Sequence, residues 1–144
     1  MKKIIVLFLF IIFALPSFAD NVGTINYKEI ISNYSKAQKV YSELDDQASE
    51  LQRYLLDKEK EYKKLDTPLQ RKTFEEQTAK AFQQKQEAFA KIKEKKEQEI
   101  DNLIENAIKA VAKENNLDSV VDYRVMYFGG VDITDKVIKK LNLK

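Results

Sequence analysis

The sequence predicts an α+β fold, mostly α, in which a long antiparallel helical hairpin, coiled-coil-like, projects as an arm from a small β-body built from both chain ends and completed by oligomerisation. Three observations predict it. Positions recur at alternating spacings of four and three from Ala37 to Leu65, a Thr67-Pro68 pair divides the helical region into two legs, and β-branched runs of strand length lie only near the two ends.

Residues 1–19 stand apart from the fold. Met1, Lys2 and Lys3, an apolar run from Ile4 to Phe13, and Ala14-Leu15-Pro16-Ser17-Phe18-Ala19 follow the pattern of a secretory signal cleaved after Ala19. A retained spanning helix needs about 20 apolar residues, and this run is shorter and contains Pro16. The chain has no cysteine, so disulfides and lipid attachment through a cysteine are excluded.

Val22-Gly23-Thr24-Ile25 reads as a short strand, and Asn26 with Glu29 three residues on opens a short helix holding Ile30 and Ile31. Ser35 followed by Gln38 forms a capping-box pattern that starts the outgoing leg. Its seam is Ala37, Tyr41, Leu44, Ala48, Leu51, Leu55, Lys58, Tyr62 and Leu65, with Lys58 the one charged member. The reversal falls at 66–68, where Thr67 is the expected N-cap, Pro68 the first helical residue and Gln70 the partner in a second capping box. The return helix runs to about Asn115, with Phe74, Phe82, Phe89, Ile92, Ile100, Leu103, Ala107 and Val111 near one stripe that also contains Lys85 and Lys96. At 1.5 Å per residue the legs measure roughly 45 Å and 70 Å. The return leg therefore overshoots the start of the outgoing one, and its root must dock onto something else.

Asn115-Asn116 stop that helix. Leu117 to Val121 and Val125 to Phe128 read as strands, Gly129-Gly130 as a turn, and a last helix follows with Thr134 as N-cap and Ile133 stapling onto Ile138, ending near Leu141. The end segments, 20–34 and 117–144, are too short to bury a self-sufficient core without disulfides, metal or association. With neither cysteine nor histidine present, association between chains is the remaining route, and residues 35–116 then form the projecting arm.

Without Lys2 and Lys3 the chain has 23 basic and 23 acidic residues. The charge is unevenly spread: residues 58–72 are net +3, residues 80–96 hold six lysines against Glu87 and Glu94, and residues 97–122 hold seven acids against Lys109 and Lys113. The outer arm is basic and its root acidic, a polarity that steers acidic partners outward or serves only as a solvated face of paired charges.

Missing histidine and cysteine remove the usual general base, the thiol nucleophile and the common zinc ligands. No serine sits in a Gly-x-Ser-x-Gly elbow, Gly129-Gly130 lacks a phosphate-loop context, and Asp132 and Asp135 fit helix capping rather than a calcium loop. The reading is therefore of a binding protein and not an enzyme, with no cofactor and no metal. Neutral charge after signal removal also argues against nucleic-acid binding.

Together with the signal segment and the lysine-rich hairpin, Val22-Gly23-Thr24-Ile25-Asn26-Tyr27-Lys28-Glu29-Ile30 and the tail Gly129-Gly130-Val131-Asp132-Ile133-Thr134-Asp135, then Val137-Ile138 and Leu141-Asn142, resemble the Skp (OmpH-like) periplasmic chaperones. The likeness spans the whole chain after the signal, and the tail is its most specific part. It implies a homotrimer with a small central β-body and three arms around a cavity. It also implies a periplasmic, ATP-independent holdase that keeps unfolded outer-membrane β-barrel proteins from aggregating. Contact with a membrane surface or lipopolysaccharide is a further partner the resemblance leaves open. Family members are often markedly basic, and this chain is neutral without its signal, so capture by charge alone does not carry over. Tyr54, Tyr62, Lys63, Lys64, Arg71, Lys72, Phe74, Phe82 and Phe89 are the candidate client contacts, with packing inside the hairpin as the competing role for the aromatics. The alternative function is a coiled-coil spacer or assembly protein of the cell envelope.

Overall fold

The computed structural model describes residues 21–143; the expected signal at 1–19 lies outside them. Strand β1 (Val22–Ile25) is followed by α1 (Tyr27–Asn33), α2 (Ser35–Tyr62), α3 (Pro68–Glu114), β2 (Ser119–Asp122), a short 3-10 turn (Tyr123–Val125), β3 (Val131–Asp132) and α4 (Thr134–Asn142). Helices α2 and α3 form the antiparallel hairpin, and the fold is α+β, mostly α.

The strands form one parallel sheet in the order β2-β1-β3. Val22 faces Ser119 and Ile25 faces Asp122, while Gly23 and Thr24 pair with Val131 and Asp132 on the other side. The N-terminal strand thus lies between two C-terminal ones. Beyond the register, Asp118 N–H donates to the Asn21 carbonyl at 2.9 Å and Asn21 N–H to the Asp118 carboxylate at 2.9 Å.

The core sits where this sheet, α1 and α4 close over the root of α3. Ile30, Ile100, Ile104, Val111, Ile133 and Val137 are fully buried there, joined by Ile25, Tyr34, Ala37, Ala107 and Leu141. Each large aliphatic removed from water contributes about 1.5–3 kcal/mol. This is where the overshoot of the return leg goes: the chain ends cover it.

Helix ends follow local chemistry. Asn26 accepts from Glu29 N–H at 3.1 Å and caps α1. Thr67 and Gln70 form the reciprocal capping box at the start of α3, with Pro68 in its first turn. At the other end of α3, Asn116 adopts a left-handed φ of 51°, Leu117 N–H bonds to the Ala112 carbonyl and Asn116 N–H to that of Lys113. This is the Schellman arrangement, in which an Asn replaces the usual Gly.

Four expectations are corrected. Ser35 is not an N-cap: Tyr34 holds that position without a side-chain bond, and Ser35 is the first helical residue. Its N–H is satisfied from the far end of the chain by Asn142 Oδ1 at 3.0 Å, while Asn142 Nδ2 donates to the Asn33 carbonyl at 2.8 Å; Gln38 bonds the Ser32 carbonyl instead of closing a box. Thr134 is likewise the first residue of α4 and not its cap. Asp132 accepts from Thr134 N–H at 2.8 Å and from its hydroxyl at 2.6 Å, and the Thr134 oxygen accepts from Asn26 N–H at 2.9 Å, tying α4 to the start of α1. Val125 to Phe128 is not a strand, because Asp122 caps a 3-10 turn through Arg124 N–H and diverts the chain; the third strand is Val131–Asp132. Leu117, expected to begin a strand, belongs to the helix stop, so β2 starts at Ser119.

Gly129 and Gly130 carry the path into β3 with φ of 85° and 82°. A Cβ at Gly130 would lie 2.8 Å from Thr24 Cγ2 and from Met126 Sδ, whereas one at Gly129 meets nothing within 4 Å.

Two outcomes follow for stability in urea. Asn142→Ala, which strands Ser35 N–H and the Asn33 carbonyl, should cost about 1–2 kcal/mol, and Asn142→Asp, which keeps the acceptor alone, should lose less; equal losses would show that only one of the two bonds matters. Gly129→Ala should cost about 1–2 kcal/mol from the left-handed backbone alone, and Gly130→Ala more, because the methyl group also collides with Thr24. Identical midpoint shifts for the two glycine variants would remove the steric part of that argument.

Candidate binding surface

The arm beyond the root has no dry interior: from residue 45 to residue 99 every side chain is partly or fully exposed. Two helices alone present only one seam to each other, so each apolar residue is covered on one side. Tyr54 and Phe82 stack across the hairpin with ring centroids 6.5 Å apart and an interplanar angle of 3°. Tyr62 and Phe74 pair at 6.3 Å and 47°. All four are half-buried, as is Phe89. The structure therefore brings the sequence-selected aromatics together as the hairpin's own seam, while leaving one flank of each accessible.

Cations complete the seam where aliphatics are missing. The Lys58 ammonium lies 5.7 Å from the Tyr54 ring centroid and 5.6 Å from that of Phe74, and it also pairs with Glu61 at 2.7 Å. The Lys85 ammonium lies 5.2 Å from the Tyr54 ring centroid, and the Arg71 guanidinium lies 5.7 Å from that of Tyr62 while its Nε donates to the Leu65 carbonyl at 3.0 Å. A cation over a ring is worth about 0.5–1 kcal/mol at such exposed sites, which explains how Lys58 is tolerated in an otherwise apolar stripe. Of the other selected cations, Lys63 is engaged with Glu59 on its own helix, and Lys64 and Lys72 are exposed at the reversal.

Two seam positions expected from spacing are more open than expected. Leu55 is 41% exposed and Ile92 40%, since a straight helix of about 3.6 residues per turn rotates progressively off a seam repeating at about 3.5 residues. With Leu56 and Leu69, which are also exposed, they add apolar surface that attention to aromatic and basic residues missed. A shallow groove of about 380 Å³ runs past Leu55, Lys58, Tyr62, Phe74 and Ala79, and a second of about 500 Å³ past Leu51, Tyr54, Lys85, Phe89 and Ile92.

A separate apolar patch lies on the body. Tyr127 and Phe128 are essentially uncovered, and Tyr123, Val125 and Val131 are at least half exposed. It adjoins a sheet whose outer strands, β2 and β3, each pair on one side only. Unpaired edges beside exposed aromatics are the features by which sheets associate.

Ion pairs bridge the legs near the root: Lys36 with Glu99 at 2.6 Å, and Lys96 with Glu43. Hydrogen bonding from its lysine holds each of Glu43 and Glu99 below the usual glutamate range, and Asp57 and Glu59 are lowered in the same way within α2. Tyr27 donates to Asp101 across the same root; burial, then that bond, pushes its phenol up. Among the described residues no cluster of acidic side chains is arranged to hold a metal ion, and no helix is long and apolar enough to cross a membrane.

A small parallel sheet fed by both chain ends, carrying a helical arm with an open seam, defines an arm-and-body architecture. The chain belongs to the OmpH-like family of outer membrane proteins, whose sequence pattern matches residues 21–141. In three dimensions it is similar to a candidate outer membrane chaperone (OmpH-like) from Caulobacter crescentus CB15, with 15% identity over 85% of this chain and 84% of that one and a TM-score of 0.47. No curated protein matches.

The lowered carboxylates set the sign of the acid response. A depressed folded-state value stabilises fully above the unfolded value and is lost as pH falls through the folded one. Hydrogen exchange, corrected for its intrinsic rate, should show the hairpin less protected at about pH 3 than at about pH 5. The Lys96→Gln variant should show a smaller difference near Glu43. The effect is modest because the pairs are exposed, and unchanged protection on acidification would contradict a stabilising role for them.

Proposed function

We propose that this protein is an ATP-independent holdase of the periplasm, which binds unfolded outer-membrane β-barrel proteins between helical arms and prevents their aggregation. The observation that carries this reading is the absence of any fully buried residue between 45 and 99: a long arm keeps its apolar groups half-covered and within reach of another chain. Membership in the OmpH-like family supports it. An unfolded barrel precursor exposes alternating apolar side chains and unpaired strand backbone, and many weak contacts along an arm hold such a chain without imposing one conformation.

In this reading the client contacts are Tyr54, Tyr62, Phe74, Phe82 and Phe89 through their open flanks, extended by Leu55 and Ile92, with Lys63, Lys64, Arg71 and Lys72 drawing acidic segments toward the outer arm. No catalytic step is involved. The patch at Tyr127, Phe128 and Val131 is covered by further copies of the chain, in a homotrimer whose arms then surround a common space, and residues 1–19 are an export signal removed after Ala19.

The test is light-scattering mass across a size-exclusion column, using the chain from Asp20 onward mixed with a β-barrel protein diluted from urea. The expected result is a soluble complex of three chains with one client, and a Tyr127→Ser/Phe128→Ser variant that elutes as smaller species and protects less. If the protein elutes alone while the client aggregates, the holdase reading falls.

A further inference from the structure

Asp45, Ser49, Gln52, Leu56, Glu59 and Lys63 of α2 recur at steps of four and three, and all are exposed. They form one stripe beside the hairpin seam. On α3 a second stripe carries Lys72, Glu76, Ala79, Gln83, Glu87 and Glu94, again all exposed. Both stripes lie on one side of the hairpin: Glu59 and Ala79 line the same groove of about 380 Å³, and Asp45 shares one of about 610 Å³ with Glu97, the next step beyond Glu94. This side is a continuous face along the arm, with Leu56, 57% exposed, near its middle. Its charge is divided by position, with Lys63 and Lys72 toward the tip and Asp45 and Glu94 toward the root. Asp45, Glu94 and Lys72 take part in no ion pair among the described residues, and Lys63 holds only Glu59 of its own helix.

The aromatic pairs fix which residues are level across the hairpin: Tyr54 with Phe82, and Tyr62 with Phe74. A two-fold axis at the level of Tyr54 and Phe82, perpendicular to the arm, lays this face against the same face of a second copy running the opposite way. Lys63 then stands level with Asp45 of that copy, and Lys72 stands within two residues of its Glu94, about 3 Å along the helix. Symmetry makes each of these pairs twice. Leu56 lies two residues from the axis, so the Leu56 side chains of the two copies meet at the centre and cover each other. Each tip ends about 10 Å short of the other copy's Ser35, which leaves the bodies clear. One like-charged approach remains, Glu76 against Glu87 of the copy, and it keeps the pairing weak. A parallel arrangement fails at the tip, because it sets Lys63 against Lys72.

We infer that this face of the arm is a docking surface for the same face of a second copy, antiparallel, with Lys63 and Lys72 of each tip on Asp45 and Glu94 of the other root. Arms that project together from one body run parallel, so the pairing joins chains of separate bodies. It is distinct from association through Tyr127 and Phe128, which lie on the body. Paired arms close the groove at Leu55, Tyr62 and Phe74 from one side, giving an idle form in which the arms cover one another's apolar flank. Opposite charge on opposite ends sets the direction and register, while exposure of the charged groups keeps the contact reversible and sensitive to salt.

The chain has no cysteine, so disulfide trapping reads the register directly. Residues 49 and 59 face each other across the axis, whereas each lies about 15 Å along the arm from its own counterpart. Chains from Asp20 onward carrying Ser49→Cys, mixed with chains carrying Glu59→Cys under mild oxidation, should cross-link to each other at least about tenfold more than either variant does alone. Light-scattering mass of the chain without substitutions should fall by about half as salt rises from about 0.01 M to about 1 M. Lys63→Glu/Lys72→Glu should show the lower mass at both salts, as should Asp45→Lys/Glu94→Lys. An equal mixture of these two should regain the doubled mass at low salt, because every facing pair at these positions is again attractive. Glu76→Gln should shift the loss of pairing to higher salt. Circular dichroism checks that each variant folds. Cross-linking of Ser49→Cys mainly with itself, no cross-link in the mixture, or a mass independent of salt overturns the inference. Tyr127→Ser/Phe128→Ser should leave the mixed cross-link unchanged, so failure of the proposed body assembly or of client protection leaves the arm pairing standing, and loss of the arm pairing leaves the holdase reading standing.

Discussion

Everything in this molecule depends on covering the root of α3. That helix exceeds α2 by about five turns, and over the excess its apolar face, Ile100, Ile104, Ala107 and Val111, has too little of the outgoing leg to pack against. The two chain ends supply the cover. β1 and α1 come from one side of the sequence, β2, β3 and α4 from the other, and Ile30, Ile133 and Val137 meet the α3 isoleucines with no exposure. Two polar links fix the arrangement: Thr134 accepts from Asn26 and Asn142 grips the α1–α2 junction at Asn33 and Ser35. Remove this closure and neither the sheet nor the base of the arm has a hydrophobic reason to form.

The arm obeys the opposite rule. Its helices persist not through a buried core but through strong ends and paired charges: the Thr67–Gln70 capping box, and pairs such as Lys60–Asp57, Lys63–Glu59 and Lys93–Glu97. Each is worth only tenths of a kcal/mol. Aromatic stacking and cations over rings add cohesion without full burial. A seam made in this way is stable enough to project while one flank of each aromatic stays accessible.

Much of this was legible in the sequence because it is local. Asn26 with Glu29, Thr67-Pro68-Gln70 and Asn115-Asn116 announce helix ends by chemistry acting within a turn. The errors came where a distant group overrides a local pattern. Ser35 and Gln38 look like a capping box, but the N–H that needs a partner is met by Asn142, over 100 residues away. Thr134 looks like a cap, yet its hydroxyl is committed to Asn26. Val125 to Phe128 has strand composition, and a 3-10 turn capped by Asp122 sends it outward instead. For the binding surface, residue type picked out the aromatics but not their degree of cover; Leu55 and Ile92 fall off the seam through accumulated helical drift, which spacing alone leaves undetermined over so long a pair.

The strand order has a consequence in time. β1 is the first regular element of the described chain, yet both of its neighbours lie near the end, with 97 residues separating Asn21 from its partner Asp118. Loop closure over that span precedes any reward from pairing, so while the chain emerges from its N-terminus the first strand has nothing to join. The hairpin can wind locally; the body must wait for the last two dozen residues. Such a chain stays unlocked for nearly the whole of its delivery, and commits to its shape only once all of it has arrived.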